Sequence, residues 1–383
     1  MIPLRNVGRF FQKTLRQPWY ALSVGLKRAK AYFAYNFSNG TSAYPEAITF
    51  FLTRLCNLRC KMCGQWGDSG ASKTHEHSAL STRLSLVEIK KVLDEISRFK
   101  PHITIFGGEP LMHPEALEIM RSIKAKGLHC LIITNGVMLS NFAENLVNAG
   151  IDELNISIDG QRELHDHIRG LAGAFDKIAG GVDSINDFKK KFSKNKPLIN
   201  LQCTINQYNY ERLDELLEVA ARFKANSLTF HNLIFLNQGA IERQKKFDGL
   251  LGCSSKEWEG FVFEPGIDPQ KLYQTLKAVL SQKHPFKVDY FPNFSKESLT
   301  AYYDDAYMPE NYGRRCVSPW MCAYIFPDGE VKPCLNSSYS FGNIKENDFS
   351  EIWNSKKAVE FRRLLKKNKI FPACVRCTEL YRY

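Results

Sequence analysis

From residue 47 onward, compact apolar blocks alternate with blocks of helical spacing. "AITFFLTR" (47–54) is a nearly unbroken apolar run of strand length. Ser85 and Glu88 then form a capping box ahead of Leu86, Ile89, Val92, Leu93, Ile96 and Phe99, which share one helix face. The alternation continues with strands at 103–106, 129–134, 153–158, 198–205 and 227–235, and helices at 114–127, 139–149, 173–190 and 210–223. Six such units over 47–236 predict an α/β chain, a partial parallel (β/α)6 barrel. Ligands of such barrels gather at the C-terminal strand ends. The polar, glycine-bearing pieces fall there: the cysteine loop 56–63, "GGEP" (107–110), "TNG" (134–136) and "SIDG" (157–160). One site at one mouth is expected.

The flanks differ. Residues 237–315 lose periodicity and gain aromatics, which predicts a linker covering the substrate; residues 316–383 hold a second cysteine group and read as a small C-terminal domain. In the N-terminal segment, 1–46, Leu4, Val7, Phe11 and Leu15 share one helical side and Arg5, Arg9, Lys13 and Arg16 the other. Seven of the formal +12 charges lie before residue 46, with no acid among them, so residues 1–40 are a candidate contact with an anionic membrane surface. The remaining charge is scattered, and "KKKFSKNK" (189–196) reads as a solvated loop, so no nucleic-acid partner is expected. No apolar run is long enough to span a bilayer.

Eleven cysteines, an odd number, without a secretory signal argue for a reducing, cytoplasmic compartment. Cys130, Cys203 and Cys253 are dispersed. Cys56, Cys60 and Cys63 form C-x3-C-x2-C, with no fourth cysteine until Cys130. Three thiolates can hold three corners of a [4Fe–4S] cluster and leave one iron open. A zinc site would need a fourth ligand, for which His75 and His77 are the nearby candidates.

With these motifs together, the chain resembles the radical S-adenosylmethionine (SAM) superfamily over roughly 47–235 and, through the second cysteine group, to the C-terminus. The resemblance implies that SAM chelates the open iron and is reductively cleaved to a 5′-deoxyadenosyl radical that abstracts a substrate hydrogen. It implies roles for Gly107 and Gly108 in close backbone approach and for Glu109 as acceptor from the SAM amino group. Ser157 and Asp159 would meet the ribose hydroxyls, Arg169 the carboxylate, and Asn135 would shape the turn beside SAM. Met62 stands where many members carry an aromatic residue against the adenine.

"CVSPWMCAYIFPDGEVKPC" (316–334) and "CVRC" (374–377) resemble the SPASM/twitch extensions of that superfamily. The implied ligands of an auxiliary [4Fe–4S] cluster are Cys316, Cys334, Cys374 and Cys377, with Cys322 as the alternative to Cys316. A cluster with four protein ligands moves electrons, so the resemblance points to oxidation of a carbinol on a sugar, cyclitol or lipid-linked substrate. An external donor such as flavodoxin or ferredoxin would supply the first electron. The competing readings are a peptide maturase, an epimerase using a thiol (Cys203, Cys253 or Cys322), and a non-catalytic electron carrier.

Overall fold

The computed structural model describes residues 18–307 and 315–383. The amphipathic pattern of Leu4 to Arg16 lies outside the described residues. One ten-stranded sheet organises the chain, in the order β10-β9-β8-β1-β2-β3-β4-β5-β6-β7. The strands are β1 (Ala47–Phe51), β2 (His102–Phe106), β3 (Cys130–Thr134), β4 (Glu153–Ser157), β5 (Leu198–Thr204), β6 (Ser227–His231), β7 (Lys287–Phe291), β8 (Cys322–Ile325), β9 (Glu330–Lys332) and β10 (Gly342–Asn343). β1 to β7 are parallel, β8 joins β1 in parallel, and β9 and β10 follow as an antiparallel edge.

The six strands read from the sequence form the parallel core of the expected partial barrel. Period-2 alternation gives each strand one face of Ile, Leu and Phe: Ile103, Ile105, Ile132, Leu154, Ile156, Leu201, Leu228 and Phe230 are all 0% exposed. Each such burial contributes about 1.5–3 kcal/mol. The Ser85–Glu88 capping box forms as expected and starts the helix Leu86–Ile96.

Two elements differ from the sequence reading. The 237–315 segment supplies β7 and the helices Gln238–Leu251 and Pro269–Ser281. Its strand, Lys-Val-Asp-Tyr-Phe, mixes charge with apolar residues and lacks the continuous run that marks a buried strand. Arg169 lies at the end of a helix that the sequence reading did not place, Arg162–Arg169, which ends at Gly170 with φ 70°. Its positive φ suits glycine, and a Cβ there would meet the Arg59 carbonyl oxygen at 2.6 Å.

Among the described residues no helix is long and apolar enough to cross a membrane.

Candidate functional site

β1 delivers the chain into the cysteine loop, and the end of β2 holds that loop from beside. Gly108 N donates to Thr53 O (2.7 Å) and Glu109 N to Leu55 O (2.8 Å). A Cβ on Gly108 would lie 2.2 Å from Leu55 O, and one on Gly107 2.6 Å from Thr53 O. The two glycines are therefore set by backbone against backbone. On the other side, the helix Arg162–Arg169 presents its last carbonyls: Ile168 O accepts from Lys61 N (3.0 Å) and Arg169 O from Arg59 N (3.3 Å).

Each sulfur of the loop has a nitrogen donor nearby. Asn135 Nδ2 stands 3.9 Å from Cys56 Sγ, Arg169 Nη1 3.7 Å from Cys60 Sγ, and Trp66 N 3.4 Å from Cys63 Sγ. Burial pushes the Cys56 thiol up to about 12 and Cys60 upward too. Donors aimed at all three sulfurs suit thiolate ligands. The donor set thus fits a [4Fe–4S] cluster.

Two acidic residues of the implied SAM-binding set are fully buried and paired within the chain. Glu109 is 0% exposed, and its carboxylate already accepts from Thr134 Oγ1 (2.8 Å), Asn135 N (2.8 Å) and Leu111 N (3.1 Å). Burial pushes it up to about 7. It braces the β2 and β3 ends. Asp159, also 0% exposed, pairs through Oδ2 with Arg169 Nε at 2.6 Å and accepts from Thr204 N at Oδ1 (2.9 Å). Its carboxylate anchors Arg169, so it is not free for a ribose hydroxyl. Burial works against the Arg169 charge, but Asp159 and Cys60 more than offset this and raise its pKa.

Asn135 spans the site, donating to Asn57 Oδ1 (2.7 Å) as well as facing Cys56. Asn57 was not singled out from the sequence, where one asparagine between cysteines carries no signal. Met62 is half-buried against the core. His75 sits apart, beside Glu76, Lys256 and Glu257. Among the described residues no three Cys, His, Asp or Glu side chains stand close enough to share a single metal ion.

The inner face of the sheet is polar from β4 to β7. Strand pairing puts Ser157, Gln202, Thr229 and Asp289 in one row, with Thr204, His231 and Phe291 in the next row toward the mouth. His231 Nε2 and Gln202 Oε1 are 2.6 Å apart; with the imidazole proton on Nε2, Gln202 accepts and Nδ1 keeps its lone pair. Burial pushes His231 down to about 4, so it is neutral near pH 7. Deeper in, Asn200 links Glu153 (2.8 Å) and Ser227 (2.9 Å). The alternation Glu153-Leu-Asn155-Ile-Ser157 carried this signal in the sequence.

The second cysteine group forms a separate site. Cys316, Cys334, Cys374 and Cys377 line one cavity with Trp258, Pro319, Pro333, Phe361 and Phe371. Cys253 lines it as well. Burial pushes Cys334, Cys374 and Cys377 up to about 12 and raises Cys316 well above the usual thiol range. Five thiols reach this apolar cavity, and the four implied ligands among them fit a fully ligated cluster. Cys322 faces elsewhere: 3% exposed, it lies 2.8 Å from Tyr383 Oη. Arg376, inside C-x2-C, donates to Tyr302 O (2.9 Å) and Asp304 O (2.6 Å), tying the motif to the segment after β7. Cys203, a candidate epimerase thiol, is 0% exposed on the helix-facing side of β5 and receives Asn209 Nδ2 at 3.5 Å. Its place and burial remove it, and Cys322 likewise, from a substrate-facing role.

This barrel with its three-cysteine loop, joined to a cysteine-lined cavity, carries a radical SAM domain followed by a C-terminal SPASM domain. The radical SAM superfamily profile matches residues 50–219, and the SPASM iron–sulfur cluster-binding domain profile residues 316–378. The two domains imply two [4Fe–4S] clusters and SAM. Among its relatives, AdoMet-dependent heme synthase of Methanosarcina barkeri is 27% identical over 336 residues, 87% of this chain and 88% of that one. PqqA peptide cyclase of Rhizobium meliloti is 25% identical over 318 residues, 81% of this chain and 73% of that one. The solved structure of Streptococcus suis SuiB bound to S-adenosylmethionine shares the fold at a TM-score of 0.60 and 14% identity, covering 90% of this chain and 73% of that one.

Proposed function

We propose that this radical SAM enzyme oxidises a carbinol of a polar, hydroxyl-bearing substrate such as a sugar or cyclitol, with the auxiliary cluster as electron acceptor. Cys56, Cys60 and Cys63 would hold the SAM-binding cluster, and Cys316, Cys334, Cys374 and Cys377 the auxiliary one. When bound, the first cluster and SAM supply a 5′-deoxyadenosyl radical that abstracts hydrogen, and the second cluster supplies an acceptor for the remaining electron. Flavodoxin or ferredoxin would serve as the external electron donor.

The chain's own residues do the rest. Arg169, held by Asp159, offers a cation beside Cys60 for a carboxylate. Ser157 and Asn135 stand at the same mouth. His231, neutral and held by Gln202, is the group suited to take the carbinol proton.

The observation carrying the substrate class is the inner wall. Ser157, Gln202, Thr229 and His231 offer hydrogen bonds, while Glu153 and Asp289 are acids and Lys287 is already within 3.4 Å of Asp289. Such a wall favours neutral or amino-bearing polyols and disfavours polycarboxylates. The peptide-modifying reading draws support from the PqqA peptide cyclase relative.

The test supplies anaerobic, reduced protein with SAM and candidate polyols deuterated at each carbinol. Deuterium in 5′-deoxyadenosine together with a carbonyl product supports the reading. Deuterium transfer only from peptides would replace it with peptide modification.

A further inference from the structure

The helix Pro18–Phe37 turns one face outward. Leu26, Phe33 and Phe37 are 60%, 66% and 75% exposed. Their seven- and four-residue spacing puts them on one side, with Lys30 exposed between them. The opposite side is anchored: Ala31 and Tyr35 are buried, and Tyr35 meets Trp320 edge-on at 4.9 Å. Phe33 and Phe37 lie 4.8 Å apart, centroid to centroid, so they make one aromatic surface.

Charge beside this surface is predominantly positive. Residues 18–37 contain Lys27, Arg28 and Lys30 and no acid. The helix Lys356–Asn368 contains six basic residues and one acid, Glu360. It reaches the end of the first helix: Lys366 Nζ donates to Asn36 O (3.0 Å) and Ser38 O (3.3 Å), and Arg363 Nε to Asn39 O (2.8 Å). Bonds to carbonyls leave both cations charged, so Phe37 stands beside uncompensated positive charge. Arg28 is the exception, paired with Glu46 at 2.8 Å. Exposed aromatics beside unpaired cations fit a surface that is apolar just below an anionic layer.

We propose that this face docks the protein on an anionic membrane surface. Leu26, Phe33 and Phe37 enter the headgroup–acyl boundary, and Lys30, Arg363 and Lys366 meet lipid phosphates. The docking leaves the barrel chemistry untouched, so it stands or falls independently of the proposed reaction.

Flotation of the full chain with vesicles tests it, using phosphatidylcholine alone and an equal mixture with phosphatidylglycerol. The expected result is co-flotation with the anionic vesicles only, weakened by 0.5 M salt as on the order of fivefold per lost cation contact. The double variant Phe33→Ser/Phe37→Ser should bind at least about tenfold more weakly, with unchanged iron content and melting temperature. Lys30→Glu, at an exposed site, should also weaken it severalfold. The proposal is overturned if wild-type protein ignores anionic vesicles, or if the double variant floats as wild type does. It is equally overturned if light scattering shows a dimer that the double variant splits while no vesicle binding occurs, since the face then joins two copies.

Discussion

Arg169 is shared between a carboxylate and a sulfur: Nε lies 2.6 Å from Asp159 Oδ2 and Nη1 3.7 Å from Cys60 Sγ. One buried guanidinium thereby links the end of β4 to the cluster loop, and the helix that carries it accepts the loop's amides. Arg169→Gln should leave Asp159 buried and unpaired, at a cost of about 3–5 kcal/mol. It should also lower 5′-deoxyadenosine formation by about 10–100-fold, the scale of losses around metal ligands. A melting curve and a cleavage assay measure the two effects separately. Unchanged stability with lost cleavage would show that Asp159 does not depend on this partner.

Gly108 has no room for a side chain, with Leu55 O 2.2 Å from the Cβ position. Gly108→Ala should push the cysteine loop away from β2 and destabilise the protein by about 1–3 kcal/mol. Iron at the first site should fall while iron at the second is retained. Full iron content and native stability would mean the loop yields freely.

Cys334 and Cys322 differ in place, and iron analysis separates them. Cys334→Ala should remove the auxiliary cluster and about half of the iron. Cys322→Ala should keep it all, since this thiol faces Tyr383 and not the cavity. Equal losses in both variants would return Cys322 to the ligand set.

His231 predicts a pH dependence. Burial lowers its folded pKa from 6.5 to about 4, with Asp289 the facing charge on β7 and Gln202 its partner on β5. Between those values the unfolded chain binds the proton and the folded one does not, so stability rises with pH from about 4 to 6.5. The gain is about 3 kcal/mol. His231→Gln should reduce the slope there, while His102 and His165, also lowered by burial, keep their share. A variant whose melting temperature still climbs as steeply over pH 4.5–6.5 would contradict the assignment.

The barrel core was legible because its first six strands stand out as apolar or alternating blocks and the first five are each followed by a segment of helical spacing. The Ser85–Glu88 box shows how local that information is: two side chains mark a helix start without help from the rest of the fold. β7 was hidden because pairing with β6, not apolar content, makes it a strand. β8 likewise looked like part of a separate domain, since only its pairing with β1 joins it to the sheet. At the site, the cysteine spacing carried its chemistry in plain view. The roles of Glu109 and Asp159 were not visible, because a carboxylate's partner depends on which strand ends meet. Ser157-Gln202-Thr229-Asp289 is such a meeting, made by register across four strands.

The central claim is that the three-cysteine loop is reactive and the four-cysteine cavity is not. It is tested most directly by measuring 5′-deoxyadenosine from SAM, using reduced protein carrying about eight irons and a Cys377→Ala variant. The account predicts that both cleave SAM, that Cys60→Ala does not, and that only the wild type completes substrate oxidation. Absence of 5′-deoxyadenosine from wild-type protein with both clusters intact would contradict it.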